Sequence, residues 1–107
     1  MLQLGTAGNA RRVIAKRTLR EFWERHPDAR QPLTAWCEAA KRADWEAPHQ
    51  VRYRYRSVSF LPNDRVVFNI KGNTYRLVVE VNYPYRVVYI RFIGTHSEYD
   101  RINAAEV

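Results

Sequence analysis

The stretch VVFNIKGNTYRLVVEVNYPYRVVYIRFI, residues 66–93, decides the fold. Three runs rich in β-branched and aromatic residues, 66–70, 74–81 and 86–93, are separated by Lys71-Gly72-Asn73 and by Asn82-Tyr83-Pro84-Tyr85. Val, Ile, Tyr and Phe suit a pleated surface, whereas Gly, Asn and Pro reverse the chain. The spacing predicts an antiparallel meander. Upstream, residues 50–60 alternate Arg and Tyr, then supply Val58 and Phe60 before a turn at Leu61-Pro62-Asn63-Asp64, and read as a further extended segment.

The N-terminal half carries a different period. Thr18-Leu19-Arg20-Glu21 has the spacing of a capping box, and Leu19, Phe22, Trp23 and His26 form one apolar stripe that Pro27 ends. Asp28 is placed to cap a second helix, with Pro32 in its first turn and Leu33, Trp36, Cys37 and Ala40 on its buried face. Trp23, Trp36 and Trp45 read as core. A short strand at 12–15 opens the fold, and Thr95-His96-Ser97-Glu98 marks a second capping box and a short C-terminal helix. Helices first and strands last predict an α+β protein: two N-terminal helices packed on one face of a small twisted antiparallel sheet. Residues 1–10 read as a disordered extension or an early start, and 11–107 as a single domain.

The chain has 107 residues, 46% hydrophobic and 27% charged, which is a globular composition. No apolar run approaches the roughly 20 residues of a membrane-spanning helix, and the N-terminus is too weakly apolar for a secretory signal. A single cysteine, Cys37, excludes an intramolecular disulfide and fits a reducing cytoplasm. The formal charge is +7, and among the 18 basic residues only Lys16, Lys41 and Lys71 are lysines. Arginine's planar fork matches phosphate oxygens, so the bias suggests a polyanionic partner; an acidic protein partner is the other reading. No phosphate-binding glycine loop and no His/Asp/Glu cluster with metal-ligand spacing is present, so no cofactor and no metal are expected.

Strand register turns the pattern into a candidate site. If Gly72 and Asn73 form a two-residue loop, Asn69 lies opposite Arg76. If the 82–85 turn also closes on two residues, Arg76 lies opposite Arg91, with Val78 opposite Tyr89. Asn69, Arg76 and Arg91 then form one row, while Leu77, Val79, Ile90 and Phe92 face the helices. Facing arginines are destabilising unless Glu80 or an acidic partner neutralises them, so the row is either a solvated outer face or an anion site. Lys71 and Asn73 stand in the adjoining turn, and His96 and Tyr99 just past the last strand. Histidine titrates in the range for proton transfer, arginine stabilises charge on a pentavalent phosphate, and a tyrosine such as Tyr99 can stack on a base or donate a proton. Together they suit RNA cleavage through the ribose 2′-hydroxyl without a metal. Arg52, Arg54 and Arg56 share one face if their segment is extended, ready either for ribosomal RNA or for an acidic partner.

Residues 67–78 and 89–100 resemble the HigB family of toxins within the wider RelE group, and the resemblance runs from about Arg12 to Ile102. It implies a small antiparallel sheet on two helices and cleavage of mRNA in the A site of the 70S ribosome. It also implies a HigA-type helix-turn-helix antitoxin, through whose complex alone operator DNA is bound. Within the resemblance, Arg76 falls on the sheet arginine used at the scissile phosphate. His96 follows the Gly-Thr pair where RelE carries another arginine, and Tyr99 is the aromatic nearest the C-terminal tyrosine. Val67 and Asn69 stand where RelE has lysines, which leaves His96 as the favoured general base, with Lys71 or Arg91 compensating charge. A related toxin aimed at another target such as gyrase, and a non-enzymatic nucleic-acid-binding module, are the alternatives.

Overall fold

The computed structural model describes residues 12–107; the extension expected over 1–10 lies outside them. In chain order come β1 (Arg12–Ile14), α1 (Lys16–Arg25), a 3-10 turn (Pro27–Ala29), α2 (Arg30–Arg42), α3 (Pro48–Arg54), β2 (Ser59–Leu61), β3 (Arg65–Ile70), β4 (Tyr75–Asn82), β5 (Val87–Thr95) and α4 (His96–Tyr99). The strands form one sheet in the order β1-β5-β4-β3-β2. The expected α+β architecture holds. The sheet is mixed, because β1 runs parallel to β5 while the other pairs are antiparallel.

One sheet face is covered by the helices. Leu19 and Phe22 of α1, Leu33, Trp36, Cys37 and Ala40 of α2, and Val51 of α3 pack on Phe68, Leu77, Val79, Val88 and Ile90. Burial pushes the Cys37 thiol above its ordinary range, as for an inert core cysteine. Trp36 and Trp45 are buried and Trp23 packs partly buried against the same cluster. The other face holds a smaller cluster, Val67, Val78 and Ala104, against which Phe92, Tyr99 and Ile102 pack. The chain after α4 folds back over this outer face: Arg65 donates to the Val107 carbonyl and Asn63 to the Ala105 carbonyl.

Several local expectations are corrected. Residues 48–54 are helical rather than extended, since Gln50 accepts from the N–H groups of Glu46 and Ala47 and caps the helix start. Val51 and Tyr55 then lie four residues apart on one apolar face, with Tyr55 edge-on to Phe68. The Thr18 box does not form: α1 begins two residues earlier at Lys16, and Glu21 pairs with Arg17. Asp28 caps no helix, because its carboxylate is taken by Tyr75 and Lys71.

Candidate functional site

The turn between β3 and β4 behaves as its sequence dictates. Lys71 and Gly72 both have positive φ, 55° and 63°, Thr74 N–H donates to Lys71 O at 3.1 Å, and Asn69 faces Arg76. The next hairpin does not. Its loop spans 83–86 with Arg86 at φ 57°, held by Asp44 and Glu46, and a bulge follows in β5. Val79 pairs with Ile90 and Val78 with Phe92, so Arg91 is the extra residue.

The turn and the bulge together change the site. Arg76 faces Gly94 rather than Arg91, and Val78 faces Phe92 rather than Tyr89. Phe92 turns to the outer face instead of the helices. Arg91 reaches Glu80, which also pairs with Arg65. Glu80 lies four residues along β4 from Arg76, roughly 13 Å at the usual strand rise. The row is therefore Asn69, Arg76 and Gly94, and Arg91 is not part of it.

Arg76 is half-buried, and its Nη1 donates to the carbonyls of Asn73 at 3.2 Å and Tyr75 at 3.5 Å. Among the described residues it meets no carboxylate, so its charge is available to an anion. Gly94, opposite it, has no room for a side chain: a Cβ there would come 2.5 Å from Phe92 Cζ and 2.8 Å from Glu98 Oε1. At the same strand end the second capping box forms as expected. Glu98 N–H donates to Thr95 Oγ1 at 3.1 Å and Thr95 N–H to Glu98 Oε1 at 2.8 Å, which starts α4 at His96. The exposed His96 contacts Asp100 through Nδ1 at 3.2 Å. When Nδ1–H donates to that carboxylate, the imidazole lone pair sits on Nε2, open to solvent. Tyr99 packs half-buried on the outer cluster.

Lys71 is less free than its place in the turn suggests. Its Nζ lies 3.1 Å from Asp28 Oδ2, while Tyr75 donates to Asp28 Oδ1 at 2.5 Å. The Tyr75 and Lys71 hydrogen bonds hold the Asp28 carboxyl below its ordinary range, and the carboxylate pushes the Tyr75 phenol up to about 12. This triad ties the 3-10 turn to the β3–β4 turn that presents Asn73 and Arg76. Asn73 is exposed. Arg52 and Arg54 are on α3 and Arg56 follows it, so the three do not share one extended face. Asp28, Gly94 and Asp100 were not singled out for these roles from sequence; only Asp100, one helical turn after His96, carries a readable spacing.

A family model described as the RelE-like toxic component of a toxin–antitoxin system, HigB toxin, matches residues 29–102. The chain belongs to the HigB toxin family. Similar curated relatives include the mRNA interferase toxin HigB of Escherichia coli and the mRNA interferase HigB of Shigella flexneri. Each is 29% identical over 94 residues, covering 86% of this chain and 90% of the relative. As the toxic component of such a system, a HigB family protein has an antitoxin as its partner. Among the described residues, no helix is long and apolar enough to cross a membrane.

Proposed function

We propose that this chain is a cytoplasmic endoribonuclease that cleaves mRNA in the ribosomal A site, and that 11–107 is its single toxin domain. The observation that carries the reading is Arg76: a guanidinium fixed on backbone carbonyls, free of carboxylates among the described residues, at the strand end that also presents His96. The ribose 2′-oxygen attacks the adjacent phosphorus as His96 Nε2 takes its proton. The bond to the 5′-oxygen breaks, leaving a 2′,3′-cyclic phosphate and, as that oxygen takes a proton from water, a 5′-hydroxyl, while His96 returns its proton to solvent. Arg76 faces the charge that builds on the non-bridging oxygens. Asp100 orients His96, as a third group orients the base in other hydrolytic sites. Asn69, Asn73 and Lys71 border the scissile nucleotide, and Tyr99 stands at its edge. No step calls on a metal. The relatives' activity, mRNA interferase, agrees with this chemistry. The antitoxin is read as a HigA-type helix-turn-helix protein that carries the pair to operator DNA.

Purified 70S ribosomes programmed with a defined message test the proposal. Cleavage within the A-site codon is expected, and gyrase supercoiling is expected to be unaffected. Arg76→Ala and His96→Ala should each abolish cleavage while the circular dichroism spectrum is retained; activity in both variants overturns the site.

A further inference from the structure

The helical conformation of 48–54 creates a surface that the extended reading did not contain. Val51 and Tyr55 turn α3 toward the core. By the helical period, His49, Arg52, Tyr53 and, just beyond the helix, Arg56 fall on the opposite side. Among the described residues these four line a shallow open depression of about 400 Å³. Tyr53 is 82% exposed, so its ring is not spent on packing. The Arg52 guanidinium lies 5.1 Å from the Phe60 ring centroid, which fixes its direction.

The charge of this patch is not neutralised among the described residues. Arg17, Arg42, Arg65, Arg86 and Arg91 each meet a carboxylate, whereas none of the four does among the described residues. Arg54, about 100° around the helix from its neighbours, lines a different hollow together with Glu38 and Asp44. We propose that His49, Arg52, Tyr53 and Arg56 form a second RNA-binding surface, distinct from the Arg76 site. It takes the phosphates of a single-stranded or looped RNA and stacks one unpaired base on Tyr53. An open aromatic face between two arginines is what such strands use; an acidic polypeptide would engage the cations and leave the ring idle. The choice of RNA as the polyanion rests on the proposed function, and the contact itself does not depend on cleavage.

Fluorescence anisotropy with a short labelled single-stranded RNA tests it, all variants being made in an Arg76→Ala background so that the probe stays whole. Co-sedimentation with 70S ribosomes gives the second arm. Arg52→Ala with Arg56→Ala should weaken binding at least tenfold and flatten the log affinity–log salt slope by about 1.4, the value for two phosphate contacts on a single strand. Tyr53→Ala should cost about 5- to 150-fold, with Tyr53→Phe restoring most of it. Arg54→Ala removes the same charge as Arg52→Ala and should change affinity less than about twofold, within the range of ordinary surface substitutions. Equal effects of Arg52→Ala and Arg54→Ala would reduce the surface to net charge and overturn the proposal. Tighter binding of labelled polyglutamate than of RNA, unaltered by Tyr53→Ala, would assign the surface to an acidic protein and overturn it equally. If cleavage fails while these binding results hold, the proposed reaction is wrong and this surface stands.

Discussion

Gly94→Ala gives a prediction whose sign is set by tertiary packing. Gly94 sits in extended backbone in β5, where alanine restricts the unfolded chain and by itself stabilises a protein by about 0.4–1 kcal/mol. Here the added methyl would lie 2.5 Å from Phe92 Cζ, 3.0 Å from Phe92 Cε2 and 2.8 Å from Glu98 Oε1. Relief needs the Phe92 ring to leave Val67 and Val78 and the Glu98 carboxylate to leave the Thr95 N–H. The first is overpacking, at about 1–3 kcal/mol, and the second is loss of a helix cap, at about 0.5–2 kcal/mol. Net destabilisation of about 1–4 kcal/mol is expected, or a fall in Tm of roughly 5–30 °C for a domain of this size. Thermal unfolding followed by circular dichroism measures it. Phe92→Leu removes the ring atoms in the way, so Gly94→Ala should cost at least about 1 kcal/mol less in that background, the coupling expected of residues in contact. A Tm equal to or above the parent's, or the same cost in both backgrounds, refutes the reasoning. Because Gly94 faces Arg76, cleavage should fall with it.

The remaining predictions concern charge. Asp28 is held below its ordinary range, so its contribution to stability is present above the unfolded carboxyl pKa and is lost as pH falls through the lower folded value. Tyr75 is raised to about 12, so its contribution is present below the ordinary phenol range, near 10, and is lost as pH rises through about 12. Both report one hydrogen bond. Absorbance at 295 nm should show a tyrosine ionising near 12 that Tyr75→Phe deletes and Asp28→Asn moves down; persistence of that step in Tyr75→Phe contradicts the assignment. Arg91→Ala should retain most cleavage activity where Arg76→Ala loses it, since the bulge places Arg91 on Glu80. Loss of activity equal to that of Arg76→Ala would restore the paired-arginine row. Glu80→Gln removes the carboxylate shared by Arg65 and Arg91, and chemical denaturation should show a loss of about 1–2 kcal/mol after allowance for solvent screening.

The sequence by itself determined the features governed by local chemistry. The β3–β4 register follows from a glycine that accepts positive φ in a short loop, so Asn69 meets Arg76 as expected. The α4 start follows from Thr95 and Glu98, whose side chains reach each other's backbone within one turn. The buried faces of α1 and α2 follow from 3.6-residue periodicity, and the paired motifs 67–78 and 89–100 carried the family. Tertiary structure decided what depends on distant partners. Alternation over 52–56 fits a strand or a helix equally in so short a window, and the burial of Val51 with Tyr55 on Phe68 selects the helix. Asp28 has two suitors, a helix end nearby and Tyr75 at the start of β4, and the long-range contact wins. Nothing local announces the bulge at Arg91. An extra residue in β5 turns Phe92 onto the outer cluster and brings Arg91 to Glu80, both long-range gains. The 83–86 turn shifts the pairing by two residues and the bulge by one more, and together they move the candidate site from a pair of facing arginines to a single arginine beside a glycine.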